Sequence, residues 1–401
     1  MRSSRLSPLT AIFITVMVDM FSFGVVIPDL QIRGKALGLS GLALGAVMMS
    51  FSLAQLLVSP LAGRLSDGFG RRPVILIGAV MNCLSFVAYA YASNIPMFFV
   101  ARVLGGCGAS NLSAAYAYVA DATPPEQRTR AMGIIGAAFG IGFIFGPAIG
   151  GLIVHFGGQF WLGMFSAALA AGNALFVFFV LREVRHADGQ SNRFSFSLLA
   201  KTLRVPGLIV LLLMFFSFNF AFSNLESTFV LFANRKYGFE QLQAGLFLGY
   251  IGVLIAIVQG GLIGVLVKRV GETRLVRLGM SLVALALLTM PFMPTWPILM
   301  VNGLFLCFGS GITTPSLGSL VSQTAAASIQ GGIFGITQAL GALARICGPL
   351  SGQTLFEQDI SYPYIFAACV TVIPILLGLF ALRTDHLDHI REHSVSQSTT
   401  E

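Results

Sequence analysis

Apolar residues in this chain run in long, nearly unbroken stretches. They lack the regular 3.6- or 2-residue spacing of a half-buried helix or strand. The stretches lie near 8–31, 41–63, 73–93, 96–120, 131–154 and 159–181, and again near 207–233, 242–267, 275–293, 296–322, 329–354 and 361–382. Each approaches the roughly 20 apolar residues that a helix needs to cross a bilayer. A polar run from Arg182 to Ser195 separates the first six from the last six. The pattern predicts an all-α membrane protein of twelve transmembrane helices in two six-helix halves. The halves cover residues 1–181 and 207–383, with a linker at 182–206 and a tail at 384–401.

Composition agrees with lipid as the main solvent. Hydrophobic residues make up 56% of the 401 and charged residues 10%, against about 25% charged in a soluble domain. The net charge of +8 is not gathered on one solvated basic face, which excludes a nucleic-acid partner. With the N-terminus inside, 18 of the 24 Lys and Arg residues fall in inner segments. Only Arg33, Lys35, Arg235 and Lys236 fall outside, and Arg102 and Arg345 lie within spans. The positive-inside rule then puts both termini, the linker and the tail in the cytoplasm. The expected location is the inner (plasma) membrane. The five Cys are scattered through apolar runs without paired spacing, so no disulfide or thiolate metal site is expected. The start, MRSSRLSPLT, lacks a small-residue cleavage site and reads as the head of a retained span.

The halves repeat each other. Gly63-Arg-Leu65-Ser-Asp67-Gly-Phe-Gly70 lies over Gly264-Val-Leu266-Val-Lys268-Arg-Val-Gly271, and Gly78 over Gly279, each 201 residues on. Gly146-Pro147 with Gly150 lies over Gly348-Pro349 with Gly352, 202 residues on. Two parallel six-span repeats place a substrate site between them near the midplane.

Three segments carry a family resemblance. Gly63-Arg-Leu-Ser-Asp67-Gly-Phe-Gly70-Arg71-Arg72-Pro73 resembles the signature loop of the Major Facilitator Superfamily, G-x-L-x-D-x-x-G-R-[RK]-P. Physically, Gly63 and Gly70 allow a tight turn and close helix approach. The resemblance implies an inward-side latch at Asp67, with Arg128 or Arg130 opposite, and Asp121 as partner of Arg71. Arg102-Val-Leu-Gly105-Gly106-Cys-Gly108 is similar to the superfamily's fourth-helix motif R-x-x-Q-G-x-G, with Gly105 where Gln is usual. Gly142-Phe-Ile-Phe-Gly146-Pro147-Ala-Ile-Gly150-Gly151 resembles the antiporter motif of the drug:proton exporters. Its small residues four apart let helices touch, and Pro147 removes a helix hydrogen bond. The first span, Asp19 to Pro28, and the segments Asn224-Leu-Glu226 and Gln259-Gly-Gly are similar to the tetracycline-resistance-type branch. Tetracycline pumps carry further acids in the third and ninth spans. Here the third span has Asn82 and Ser85 instead, and the ninth has only Glu272 at its lip.

Four ionisable residues lie deep in spans: Asp19, Arg102, Glu226 and Arg345. At about 1.5 Å per residue, each half offers one acid and one Arg at similar height. Such residues are costly in a membrane unless paired or wet. The expectation is two acid–Arg pairs, Asp19 with Arg102 and Glu226 with Arg345, at least one of them opening during transport. Permanent structural pairs are the alternative. Asp29 reads as an outer-end residue. Asn111, Asn219, Asn224, Gln259 and Gln338 are candidate cavity-lining groups, and helix–helix hydrogen bonding explains them equally well. The Phe cluster from Phe215 to Phe222 reads as lipid contact and packing before an aromatic wall. His386, His389 and His393 read as a solvated tail, and no metal site is expected. Ser197 to Arg204 suits a short amphipathic helix on the inner surface.

The resulting expectation is a secondary active transporter without cofactors. Its partners are a small-molecule substrate, protons and the lipid bilayer, and it acts as a monomer. Proton-coupled export of lipophilic molecules leads. Proton-linked uptake of a metabolite and a non-transporting membrane sensor are the alternatives. No G-x-x-x-x-G-K-[ST] loop points to ATP, and no nucleophile–base or metal constellation at membrane depth points to an enzyme.

Overall fold

The structure, a computed structural model, describes residues 6–123, 128–184, 206–323 and 330–381. Most of the linker, the tail with its three histidines and the segment 197–204 lie outside them. The described chain is helical throughout: α1 (Pro8–Ala36), α2 (Gly41–Phe69), α3 (Arg71–Tyr91), α4 (Ile95–Ala109), α5 (Asn111–Ala122), α6 (Arg128–Phe179), α7 (Pro206–Tyr237), α8 (Gln241–Ile257), α9 (Ile263–Val270), α10 (Glu272–Thr289), α11 (Trp296–Gln323), α12 (Gln330–Gln358) and α13 (Tyr362–Ala381). Each of the twelve apolar stretches falls largely in helix. Among the described residues, nine helical segments are long and apolar enough to cross a membrane.

Local sequence explains where helices start and bend. Ser7 caps α1 by accepting from the Thr10 N–H, ahead of Pro8, and Asn94 caps α4 from the Met97 N–H, ahead of Pro96. Both place a side-chain acceptor on an orphan amide and a Pro where no donor is needed. Two expected spans merge in α6, which turns at Gly158 with φ +82°, a conformation open to glycine. The fourth expected span is split. Its helix breaks after Ala109 at Ser110, whose N–H bonds the Cys107 carbonyl, and α5 restarts at Asn111. A π-helical turn, Val258–Leu262, joins α8 to α9 around Gln259, Gly260 and Gly261.

The chain forms two compact units. One comprises Met1–Gln190 with Glu226–Gly252, the other Ser191–Leu225 with Val253–Glu401. The first break falls inside the expected linker, and the segment 226–252 joins the first unit across it. In the first unit α1 packs along α6, and Ile12, Val74, Ile75, Tyr118, Val119 and Leu181 are buried together. In the second, Leu208, Leu211, Met214, Val276, Met280 and Leu317 form the corresponding core. Large apolar side chains such as Leu57, Ile77, Leu84, Phe156 and Phe179 are exposed along the helices, as expected of a protein solvated by lipid.

The internal repeat is visible in the backbone. Gly70 and Gly271, 201 residues apart, adopt φ +100°, ψ 159° and φ +83°, ψ 149°. A methyl on Gly78 would lie 2.8 Å from the Gly108 carbonyl, and one on Gly279 would lie 2.7 Å from the Gly309 carbonyl. The same pair of helices therefore touches backbone to backbone in each unit.

Candidate functional site

Asp19 on α1 is 7% exposed and sits among amides. Asn111 Nδ2 donates to its Oδ2 at 2.9 Å, and Asn173 Nδ2 donates to its Oδ1 at 2.9 Å and to the Thr15 carbonyl at 3.1 Å. Asn82 of α3 is a third buried amide close enough to act on it electrostatically. These side chains come from α5, α6 and α3. The break at Ser110 starts α5 at Asn111, and the close approach at Gly78 and Gly108 brings α3 against α4. A methyl on Gly108 would lie 2.8 Å from the Asn82 nitrogen. Among the described residues, no cation forms an ion pair with Asp19. Its charge is met by hydrogen bonds from neutral groups.

The expected Asp19–Arg102 pair is therefore not formed. Arg102, 8% exposed, stands over the Phe51 ring at 4.6 Å and the Phe23 ring at 5.9 Å. Along α1, Arg102 faces Phe23, about one helical turn beyond Asp19. The rotation of α4 about its axis turned Arg102 onto α2. Glu226 belongs to the first unit and Arg345 to the second. Within the first unit the Glu226 carbonyl accepts from Gln31 Nε2 at 2.7 Å, and its carboxylate acts electrostatically on Arg102.

At the α2–α3 end of the first unit the signature loop builds a charge cluster. Arg71, 8% exposed at its side chain, donates from Nε to Asp121 Oδ2 at 2.8 Å and from Nη1 to Asp67 Oδ1 at 2.5 Å and Ser66 Oγ at 2.6 Å. The Arg71–Asp121 contact matches the expectation. The Arg128 and Arg130 side chains expected near Asp67 lie outside the described residues. Gly70 is needed twice over. Its φ is positive, and a methyl there would meet the Glu183 carboxylate at 2.7 Å. A methyl on Gly63 would meet nothing within 4 Å among the described residues, so the expected close helix approach is not seen there.

Glu183 stands out in the structure and not in the sequence. Its Oε1 accepts from the Arg71 N–H at 2.7 Å and its Oε2 from the Arg72 N–H at 3.2 Å. It thus caps the first turn of α3, where orphan amides and the helix dipole favour an anion. Arg72 donates to the Phe178 carbonyl, and Tyr118 Oη donates to the Arg182 carbonyl at 3.0 Å. The one sequence signal for Glu183 is its place just after the sixth apolar stretch.

The Gly-Pro motif is a helix–helix seam. A methyl on Gly142 would lie 2.6 Å from Met20, and one on Gly146 would lie 2.6 Å from Gly24. Gly150 faces the Val25 carbonyl. On another side a methyl on Gly151 would lie 2.9 Å from Leu242, and Gly245 faces the Pro147 carbonyl. The motif is thus clasped by α1 and by α8 within the same unit. In the second unit Gly348 meets Ser223 and Asn224 in the same way.

A further buried carboxyl lies at the other end of α1. Asp29 is fully buried and accepts from Tyr89 Oη at 2.5 Å and Gln159 Nε2 at 2.9 Å. Gln241 is buried on the same side, and its Nε2 has no hydrogen-bond partner among the described residues. Arg33 lies over the Tyr89 ring at 4.7 Å and donates to the carbonyls of Ala90 and Ala92. Of the other expected polar groups, Asn219 bonds back to the Phe215 carbonyl at 2.8 Å and Asn224 is buried. Gln259 and Gln338 are exposed.

Comparison with known proteins fits this geometry. The sequence pattern of the Major Facilitator Superfamily matches residues 12–349 and again 260–399. The chain is 30% identical to multidrug resistance protein 2 of Bacillus subtilis over 373 residues, covering 90% of this chain and 93% of that protein. It is 29% identical to the class E tetracycline resistance protein of Escherichia coli, with 86% of each covered. Among solved structures it resembles the human organic anion transporter MFSD10 (TETRAN), with a TM-score of 0.68 and 25% identity over 92% of this chain and 98% of that one.

Proposed function

Because the chain belongs to the Major Facilitator Superfamily, and so is a multi-pass membrane transporter rather than an enzyme, we propose that it exports small lipophilic molecules in exchange for protons. It works by alternating access, as a monomer in the inner (plasma) membrane with both termini cytoplasmic. The names of the resistance proteins above support the direction. So does the Gly-Pro seam that their branch of exporters shares.

One observation carries the reading: Asp19 is a buried carboxyl held by neutral amides. A carboxyl paired to an Arg would be locked in its charged form, whereas amides serve either form. Ionised, Asp19 accepts from Asn111 and Asn173. Protonated, it needs an acceptor, and Asn173 Oδ1 is buried without a hydrogen-bond partner among the described residues. Rotation of the Asn173 amide by half a turn supplies that acceptor. Loading and releasing the proton thus rearranges links from α1 to α5 and α6 along a glycine seam with no side chains to obstruct sliding. The Arg71 cluster, on this orientation, is the cytoplasmic latch.

Everted vesicles test the proposal. Substrate addition should discharge a preformed pH gradient in vesicles carrying the wild-type protein. Asp19→Asn should abolish that discharge at unchanged membrane insertion. Export by Asp19→Asn at the wild-type level would sink the coupling role. Glu226 and Arg345 are secondary in this scheme.

A further inference from the structure

Arg102 is a buried cation with nothing to bind. Among the described residues it makes no hydrogen bond and no ion pair, and its Nε is wholly buried without a partner. Two ring faces lie close to its guanidinium. Phe23 and Phe51 stack at 4.8 Å between centroids, and the guanidinium stands over Phe51 at 4.6 Å. A cation–π contact satisfies the flat face of a guanidinium. It leaves the buried Nε–H without an acceptor among the described residues, and the guanidinium fork free to take a planar anion. Leaving charged donors unsatisfied in a buried site is costly.

Sequence explains why no acceptor stands there. Gly105, one turn after Arg102, has no side chain to offer. A methyl there would already lie 2.8 Å from Ser85 Oγ and 3.3 Å from the Phe51 ring. Gly106 faces the Phe51 carbonyl. The two glycines let α2 press onto α4, so Phe51 fills the space in which a polar neighbour of Arg102 would stand. Ser85, the nearest hydroxyl on that side, is engaged with the Ala101 carbonyl at 2.8 Å. The charged or titratable groups that act on Arg102 through space are Tyr89 of α3 and Glu226 of α7. Tyr89 is bonded to Asp29.

We propose that Arg102, Phe23 and Phe51 form a recognition site for the carboxylate of a lipophilic aromatic anion. The guanidinium edge takes the carboxylate in a two-pronged hydrogen bond, and the adjoining Phe faces take the ring. Glu226 is the competing anion, so neutralising it strengthens ligand binding. The proposal rests on reading the chain as a transporter of small molecules, and it names one substrate class for it.

The test is equilibrium binding to the purified full-length chain in detergent, without a proton gradient. The probes are 1-naphthoate, its neutral isostere 1-naphthamide and the cation 1-naphthylmethylammonium. The wild type should bind naphthoate at least tenfold more tightly than either analogue. Arg102→Lys should lose at least tenfold for naphthoate and leave the amide unchanged. Phe51→Leu should weaken acid and amide alike, and Glu226→Gln should tighten the acid alone. A melting curve of each variant separates loss of fold from loss of binding, and Glu226→Gln keeps the test alive if Arg102→Lys fails to fold. Equal binding of acid and amide, or no naphthoate binding by folded wild type at millimolar concentration, overturns the site. That failure with Asp19-dependent proton discharge intact removes the anion site alone. Loss of discharge with naphthoate binding intact removes the coupling reading alone.

Discussion

Asp19 and Arg102 are buried opposite charges in one unit that do not meet, and each has found a different kind of neighbour. For Asp19 the neighbours are donors whose loss can be measured. Asn173→Leu removes one hydrogen bond to the carboxylate and the acceptor available to its protonated form. It should cost roughly 1–3 kcal/mol, the range for leaving a buried polar group unsatisfied, read as a lower melting temperature in detergent. It should also slow proton-coupled transport more than Asn219→Leu does, because Asn219 bonds only its own helix. Equal transport by the two variants would count against the amide cage as the coupling element. Asp29 at the far end of α1 is a structural test of the same physics. Asp29→Asn keeps the shape but replaces an acceptor-only group by one that is half donor. Tyr89 and Gln159 both donate to it, so Tyr89 must turn from donor to acceptor and its O–H loses its charged partner, and thermal stability should fall. The acids are legible in the sequence as costly residues in apolar stretches. Their partners are not, because depth along a helix follows from residue count, whereas the facing neighbour depends on helix rotation.

At the scale of elements, two features decide how helices are joined. The α1–α6 seam has no room for side chains at Gly24, Gly142 or Gly146. Gly146→Val should drive α1 and α6 apart and abolish folded expression, while Gly172→Ala, at a glycine with open space around it on the same helix, should be tolerated. Fluorescence-detected size exclusion distinguishes the two outcomes. The start of α3 depends on Glu183. Glu183→Gln keeps a side-chain oxygen for capping but loses the charge that complements the helix dipole, a loss of about 0.3–1 kcal/mol. Glu183→Ala removes the cap as well and should cost about 1 kcal/mol more, visible as faster hydrogen exchange of the first α3 amides. Residue spacing alone makes the Gly-Pro seam readable, since small residues every fourth position lie on one helix face. The break at Ser110 has no such signal. It interrupts a continuous apolar stretch without a proline, and Asn111, the first residue after it, bonds Asp19.

Across the whole molecule the two units are built to one plan but equipped differently. Gly70 and Gly271 share a left-handed conformation, and Gly78 and Gly279 share a backbone contact. Among the described residues, the first carries an anion over the glycine, Glu183 over Gly70, whereas a methyl on Gly271 would meet nothing within 4 Å. Gly271→Ala should therefore cost only the strain of its Gly-favouring backbone, about 1–3 kcal/mol. Gly70→Ala should cost more, because it also displaces the carboxylate, and a melting comparison of the two variants checks this. By itself the sequence determined the twelve apolar stretches, the doubling of six into twelve and the Arg71–Asp121 contact. The first two follow from composition and from an offset of 201 residues, and the third from the family resemblance of the loop. Only tertiary structure decided that Asp19 would be held by Asn111 and Asn173, and that Arg102 would rest on Phe51. The physical reason is that hydropathy sets how deep a group lies, while the azimuth at which helices touch sets what it meets. That azimuth is chosen by glycine contacts summed over the packed unit.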